Sequence, residues 1–173
     1  EMAIANGADL VIELPVLYSI SSAENFADGA IKVLSSLKIV DTISFGTEYE
    51  DLNKLNIVAN TLFKEPKEYK DFLSKYLKDG KSFPKARELA LIKYLQDSEY
   101  SSIISSPNNI LGIEYLKALK KSNSSIIPIT VKREDSEYNK PRIRNGITSS
   151  TGIRKMLQEG KNIHQVVPYE TYE

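Results

Sequence analysis

The sequence contains no cysteine, a single histidine and no excess of either charge, with 23 basic and 23 acidic side chains. Without cysteine there is no disulfide, no thiolate nucleophile and no thiolate metal site, which fits a reducing compartment. His164 stands alone near the end of the chain and is read as a surface residue. A multi-histidine zinc site and a Ser-His-Asp triad are set aside with it. No apolar run approaches the ~20 residues of a membrane span, and the first residues lack the charged-then-apolar order of a signal peptide. The expected location is the cytoplasm, with no membrane partner. The balanced charge demands neither nucleic acid nor an anionic surface, so any basic site must be local. Also missing are a glycine-rich phosphate loop of Walker or dinucleotide type, a carboxylate pair for general acid/base work, internal repeats and low-complexity segments.

What remains is an ordinary globular composition over 173 residues, which fits one domain, residues 1–173. "EMAIANG" reads as a helix end closed by an Asn6-Gly7 left-handed cap. "ADLVIELP", residues 8–15, is apolar around Val11 and Ile12 and ends at Pro15, which predicts a strand buried on both faces. "AENFADGAIKVLSSL" spaces Phe26, Ala30, Ile31, Val33, Leu34 and Leu37 as a helix does. "DTISFGTE" predicts a second buried strand from Thr42 to Phe45, ended by Gly46, whose missing side chain lets a backbone or ligand come close. Strand, helix and strand make a βαβ unit with a right-handed crossover.

Residues 51–97 turn wholly helical, in three stretches separated by Pro66 and by residues 80–84, and form a helical insertion. Ser106 is the cap and Pro107 the first residue of the next helix. "SIIPITVKR" predicts a third strand, with Pro128 implying an edge or a bulge. "EDSEYNKPRIRNG" has no apolar period and reads as a loop. A short amphipathic helix through Ile153, Met156 and Leu157 follows "ITSST". The fold class is α/β, a parallel sheet with helices on both faces. The chain opens inside a helix and stops shortly after another, so truncation at both ends is expected.

In such a sheet, ligands bind beyond the carboxyl ends of the strands. The candidates there are Glu13, the Gly46-Thr47-Glu48 and Lys132-Arg133-Glu134 runs, Arg142, Arg144, Ser149, Ser150, Thr151 and Arg154. Arginines, a lysine, hydroxyls and helix N–H groups together suit a polyphosphate. Each has a plainer reading. Ser149 or Ser150 can cap a helix, Gly46 can serve a turn, Asn108 and Asn109 can serve a turn or cap, Arg133 can pair with a neighbouring acid, and Glu13 can accept backbone N–H bonds. Residue patterns alone lead to an α/β domain with a phosphate site.

Four strings go further. "ADLVIELP", "ISFGTE", "SPNNILGIEYL" and "ITSSTGIRK", in this order and at these intervals, resemble the bacterial tRNA(Met) cytidine acetate ligase family, a branch of the HIGH-type nucleotidyltransferase superfamily. The likeness covers nearly the whole chain, and "SSTGIR" is similar to the ISSTxIR motif of the wider superfamily, which opens a helix against nucleotide phosphates. The resemblance implies a Rossmann-like, nucleotidyltransferase-like sheet. It also implies an activity: ATP, with Mg2+, activates acetate as acetyl-adenylate, and the wobble cytidine of elongator tRNA(Met) is then acetylated. By motif, Gly46, Asn108, Arg133 and Glu134 would line the ATP site, and Ser149, Ser150, Thr151 and Arg154 would meet the phosphates.

The family's N-terminal HxGH-type segment and its C-terminal region have no counterpart here. The expectation is an internal fragment with weak ATP binding and no turnover, whose exposed sheet edge invites homo-oligomer formation. Two other readings stay open. One is a HIGH-type adenylyltransferase acting on a small cofactor precursor, which would scarcely need residues 51–97, a segment able to meet RNA through Lys78, Lys81, Lys85 and Arg87. The other is a non-catalytic nucleotide- or RNA-binding module.

Overall fold

The computed structural model describes residues 1–133 and 148–172. Its elements begin with α1 (Met2–Ala5), α2 (Val16–Ser19), α3 (Ala23–Leu37), β1 (Thr42–Thr47), α4 (Leu52–Lys64) and α5 (Lys67–Lys78). They continue with α6 (Phe83–Leu95), α7 (Tyr100–Ser105), α8 (Pro107–Lys121), β2 (Ile127–Lys132), α9 (Ser150–Gln158) and α10 (Tyr169–Tyr172). The described chain divides into two compact units, Leu14–Lys132 and a smaller one built from Glu1–Glu13 with the residues from Arg133 onward.

The larger unit is organised by α8. Its buried residues, Asn109, Gly112, Ile113, Glu114, Leu116, Ala118 and Leu119, surround the helix rather than line one stripe, as in a helix packed on both sides. On one side Ile113 and Leu116 join Leu55, Val58, Ala59, Tyr69, Ala90, Leu91, Tyr100 and Ile103 in the core of the helical insertion. On the other, Ala118 and Leu119 meet Ala27 and Ile31 of α3, Ile43 of β1 and Ile126. Helix ends follow the sequence: Ser22 accepts the Asn25 N–H at the start of α3, and Asp51 accepts the Asn53 and Lys54 N–H groups at the start of α4. Pro107 opens α8, where its missing N–H costs nothing.

β1 and β2 pair in parallel, Thr42 opposite Ile127 and Thr47 opposite Lys132. The Ile127 N–H donates to Asp41 across the pair at 2.8 Å, so the nitrogen of the next residue, Pro128, faces the outer edge, where no ladder bond is lost. Ile43, Phe45 and Thr47 face α8, and the sheet and helix come close because Gly112 has no side chain. A Cβ there would stand 2.7 Å from Phe45 Cε2 and 3.4 Å from Thr47 Cγ2. On the opposite face Ile127, Ile129 and Val131 are exposed.

One predicted strand does not form. Residues 8–15 have no regular structure, and Leu10, Val11 and Ile12 are exposed. A strand exists through the bonds of a neighbour, and among the described residues the sheet holds β1 and β2 alone. The parallel crossover therefore runs from β1 through α4 to α8 into β2, not from residues 8–15 through α3 to β1.

In the smaller unit α1 ends at Asn6 and turns at Gly7, whose φ of +98° is open to glycine. α1 packs on α10, and His164 stacks on Tyr172 at the surface, as read from its position. Among the described residues no helix is long and apolar enough to cross a membrane.

The α8–β1 approach yields a test. Gly112→Val should lower unfolding free energy by about 1–3 kcal/mol, the cost of overpacking a filled contact. Urea denaturation reads it, and an unchanged midpoint would show that the helix and strand are not in close contact.

Candidate nucleotide-binding site

The carboxyl end of β1 runs into a loop held from three directions. Asn109, buried in the first turn of α8, accepts the N–H groups of Glu48 and Tyr49 on its Oδ1 at 2.9 and 3.1 Å. Glu48 answers across the same gap: its carboxylate accepts the Asn109 N–H at 3.1 Å and the Asn108 side-chain amide at 2.5 Å. Glu50 ties the loop to β2, its carbonyl accepting from the Thr130 hydroxyl and its carboxylate pairing with Lys132 at 3.1 Å. Tyr49 donates its hydroxyl to Glu99, which also pairs with Lys54. That bond raises the Tyr49 pKa, and Lys54 first, then Tyr49, lowers that of Glu99. The contact is solvent-exposed, so it orients the loop more than it stabilises the fold.

The loop brings Gly46 and Asn108 to one end of the sheet. Thr47, between Gly46 and Glu48 in the chain, is fully buried, and its hydroxyl has no hydrogen-bond partner. Arg133 follows β2 directly and is exposed. Glu134, Arg142 and Arg144 lie outside the described residues. Glu13 is exposed.

The second group belongs to the smaller unit. Ser149 caps α9, its hydroxyl accepting the Gly152 N–H at 3.1 Å. Gly152 is buried because Thr148 and Ser149 fold over it, where a Cβ would collide with the Thr148 hydroxyl. Ser150, Thr151 and Arg154 are exposed, and Arg154 Nη2 donates to the Thr151 hydroxyl at 3.2 Å. The first turn of α9 carries no acid. The plain helix cap and the phosphate cradle are thus compatible: one serine closes the helix while the next two hydroxyls and the guanidinium face outward.

The two helix starts differ in charge. At α8 the Glu48 carboxylate already occupies the Asn109 N–H and opposes the helix dipole, whereas α9 offers its partial positive charge beside an arginine. An anion is favoured at α9 and opposed at α8. The residue patterns include Glu48 and Asn109, but their mutual clamp joins positions about sixty apart and leaves no local signal. Of the four basic residues considered for RNA, Arg87 turns to buried Glu114 at 3.6 Å and Lys85 pairs with Glu88 at 2.8 Å. Lys78 and Lys81 are exposed with no acid in ion-pair range among the described residues.

Comparison with known proteins places the chain in a family. A tRNA(Met) cytidine acetate ligase of Caldanaerobacter subterraneus subsp. tengcongensis is 52% identical over 169 residues, covering 98% of this chain and 42% of that protein. One from Clostridium botulinum is 51% identical over 168 residues, 94% of this chain and 41% of the relative. The chain thus spans about 42% of the length of such relatives. Among solved structures, apo Thermotoga maritima TmcAL superposes with a TM-score of 0.93 at 34% identity, covering 99% of this chain and 42% of that one. The same protein bound with alpha-thio ATP gives 0.87 at 33% identity, covering 99% and 41%. The family model described as HIGH Nucleotidyl Transferase matches residues 1–173. The chain belongs to the HIGH nucleotidyl transferase family.

Proposed function

We propose that the chain is the nucleotide-binding core of an enzyme that activates acetate with ATP and acetylates the wobble cytidine of elongator tRNA(Met). Residues 1–173 are read as one nucleotidyltransferase-like domain with a helical insertion at 51–97. The observation that carries the reading is the start of α9, where Ser150, Thr151 and Arg154 are exposed on an acid-free first turn. The names of the relatives and the alpha-thio ATP bound to the Thermotoga protein support it.

In this reaction an acetate oxygen attacks the α-phosphorus of ATP and pyrophosphate leaves. The exocyclic amine of the cytidine then attacks the acetyl carbon, AMP leaves, and a proton passes to solvent. Neither step needs a nucleophilic side chain. What the protein supplies is positioning and positive charge, from Arg133, Arg154 and the α9 N–H groups, with Gly46, Asn108 and Glu134 around the nucleoside and Ser149, Ser150 and Thr151 at the phosphates.

Among the described residues no group of three or more His, Asp or Glu side chains is placed to hold a metal. Mg2+ in this reading would accompany the triphosphate and supply neutralising charge. tRNA modification implies the cytoplasm. A second copy of the chain meeting the open sheet edge belongs to the same proposal and is read from the mass at sedimentation equilibrium, where a strict monomer removes it.

Calorimetry tests the ATP site. Arg154→Ala and Arg133→Ala should each weaken ATP binding by about tenfold or more, the worth of a charge-assisted bond. Unchanged affinity in both, with folding intact, would remove Arg133 and Arg154 as phosphate ligands. For tRNA, the Lys78→Ala/Lys81→Ala pair should weaken filter binding and reduce the salt slope by roughly two. The same slope with and without the two lysines would take the helical insertion out of RNA contact.

A further inference from the structure

The Glu48 contact decides more than the shape of a loop. A carboxylate can only accept hydrogen bonds, whereas a side-chain amide presents a donor at one end and an acceptor at the other in nearly the same shape. Both carboxylate oxygens of Glu48 are engaged, one by the Asn109 N–H and one by the Asn108 amide. The Glu48 backbone is itself held by Asn109, which is buried and has its own amide oxygen committed. Glu48 is exposed but its carboxylate is held by these two bonds, and Asn108 can meet it only with its NH2 end. One hydrogen of the NH2 group goes to Glu48, and the opposite end of the amide is the Asn108 Oδ1, an acceptor that no described residue uses.

We propose that Glu48 is a positioning residue that sets Asn108 as a hydrogen-bond acceptor, so that Asn108 selects a donor group on the nucleoside of ATP. This rests on the reading that ATP meets Asn108. The donor is an N–H of the nucleoside and not a phosphate, which offers only acceptors at neutral pH and is repelled by Glu48. The 6-amino group of adenine has this chemistry, whereas the ribose hydroxyls both donate and accept and can meet an amide turned either way. An Asn108 turned the other way would offer its NH2 to an acceptor and favour a 6-oxo purine instead.

Glu48→Gln reverses the device without changing its size. In that variant the Asn109 N–H keeps the oxygen of the new side-chain amide, whose NH2 then falls opposite Asn108. Asn108 must turn its own oxygen inward and its NH2 outward.

The experiment is calorimetric titration of this chain, and of its Glu48→Gln and Asn108→Ala variants, with ATP, ITP, 2′-deoxy-ATP and 3′-deoxy-ATP, folding being checked by thermal melts. ITP replaces the 6-amino donor by an oxygen, and each deoxy analogue removes one ribose donor. The unsubstituted chain should bind ATP about tenfold more tightly than ITP, and a loss confined to a deoxy analogue would place Asn108 on the ribose and overturn the selection. Asn108→Ala should bring the ratio of ATP to ITP affinity close to one, and Glu48→Gln should invert it.

Equal binding of all four nucleotides by the unsubstituted chain overturns the proposal, even where a variant fails to fold. Selectivity against ITP that disappears in Asn108→Ala but persists in Glu48→Gln overturns the role of Glu48 and leaves ATP at Asn108. Affinity and selectivity untouched by Asn108→Ala overturn the placement of ATP itself. A merely structural Glu48 would lower the melting temperature and the affinity for all four nucleotides alike, without moving the ratio.

Discussion

The carboxyl end of the sheet depends on the exchange of hydrogen bonds between the loop after β1 and the first turn of α8. Asn109 supplies an acceptor for two loop N–H groups, and Glu48 supplies one for the helix. Neither half works without the other. The loop N–H groups would lack a partner if Asn109 were apolar, and the helix start would carry an unbalanced partial charge if Glu48 were neutral. Gly112, one turn further on, lets the same helix lie against Phe45 and Thr47, so the strand and helix meet closely at the carboxyl end of β1. Because α8 also forms one wall of the helical insertion, the position of the loop is tied to both hydrophobic cores of the larger unit.

Charge is balanced in total but not in place. Inside the larger unit, Glu114 is nearly buried and held by Lys117 at 2.6 Å and, at longer range, by Arg87. Such a pair contributes less to net stability than it costs to break, since removal of either cation leaves a buried acid. It also withdraws Arg87 from the surface, which is why a basic residue in the insertion sequence does not add to a surface patch. The helix starts divide in the same way, one closed by an acid of the chain and one left open beside Arg154.

Much of this was legible in the sequence. The α3 boundaries, the Asp51 to Gln96 helical run, the Pro107 start and the Ser149 start all follow from local rules of capping and periodicity, and local rules are what a helix obeys. Residues 8–15 mislead because an apolar run ending in proline states a preference, while a strand needs a partner that the run itself does not name. The same limit hides the Glu48 clamp. Its members are visible as a strand-end acid and a pair of helix-start asparagines, but only the fold brings positions 48 and 109 together. The α9 motif was legible because its chemistry is contained in six consecutive residues.

The central claim is that the phosphates of ATP meet the start of α9 and not that of α8. The direct measurement is the change in backbone amide resonances when ATP is added to the isotope-labelled chain. The account predicts large shifts at Ser150, Thr151 and Gly152 that pyrophosphate reproduces, with the Asn109 amide left in place by either ligand. Shifts from pyrophosphate at Asn109 and Glu48, with the α9 amides unmoved, would contradict it.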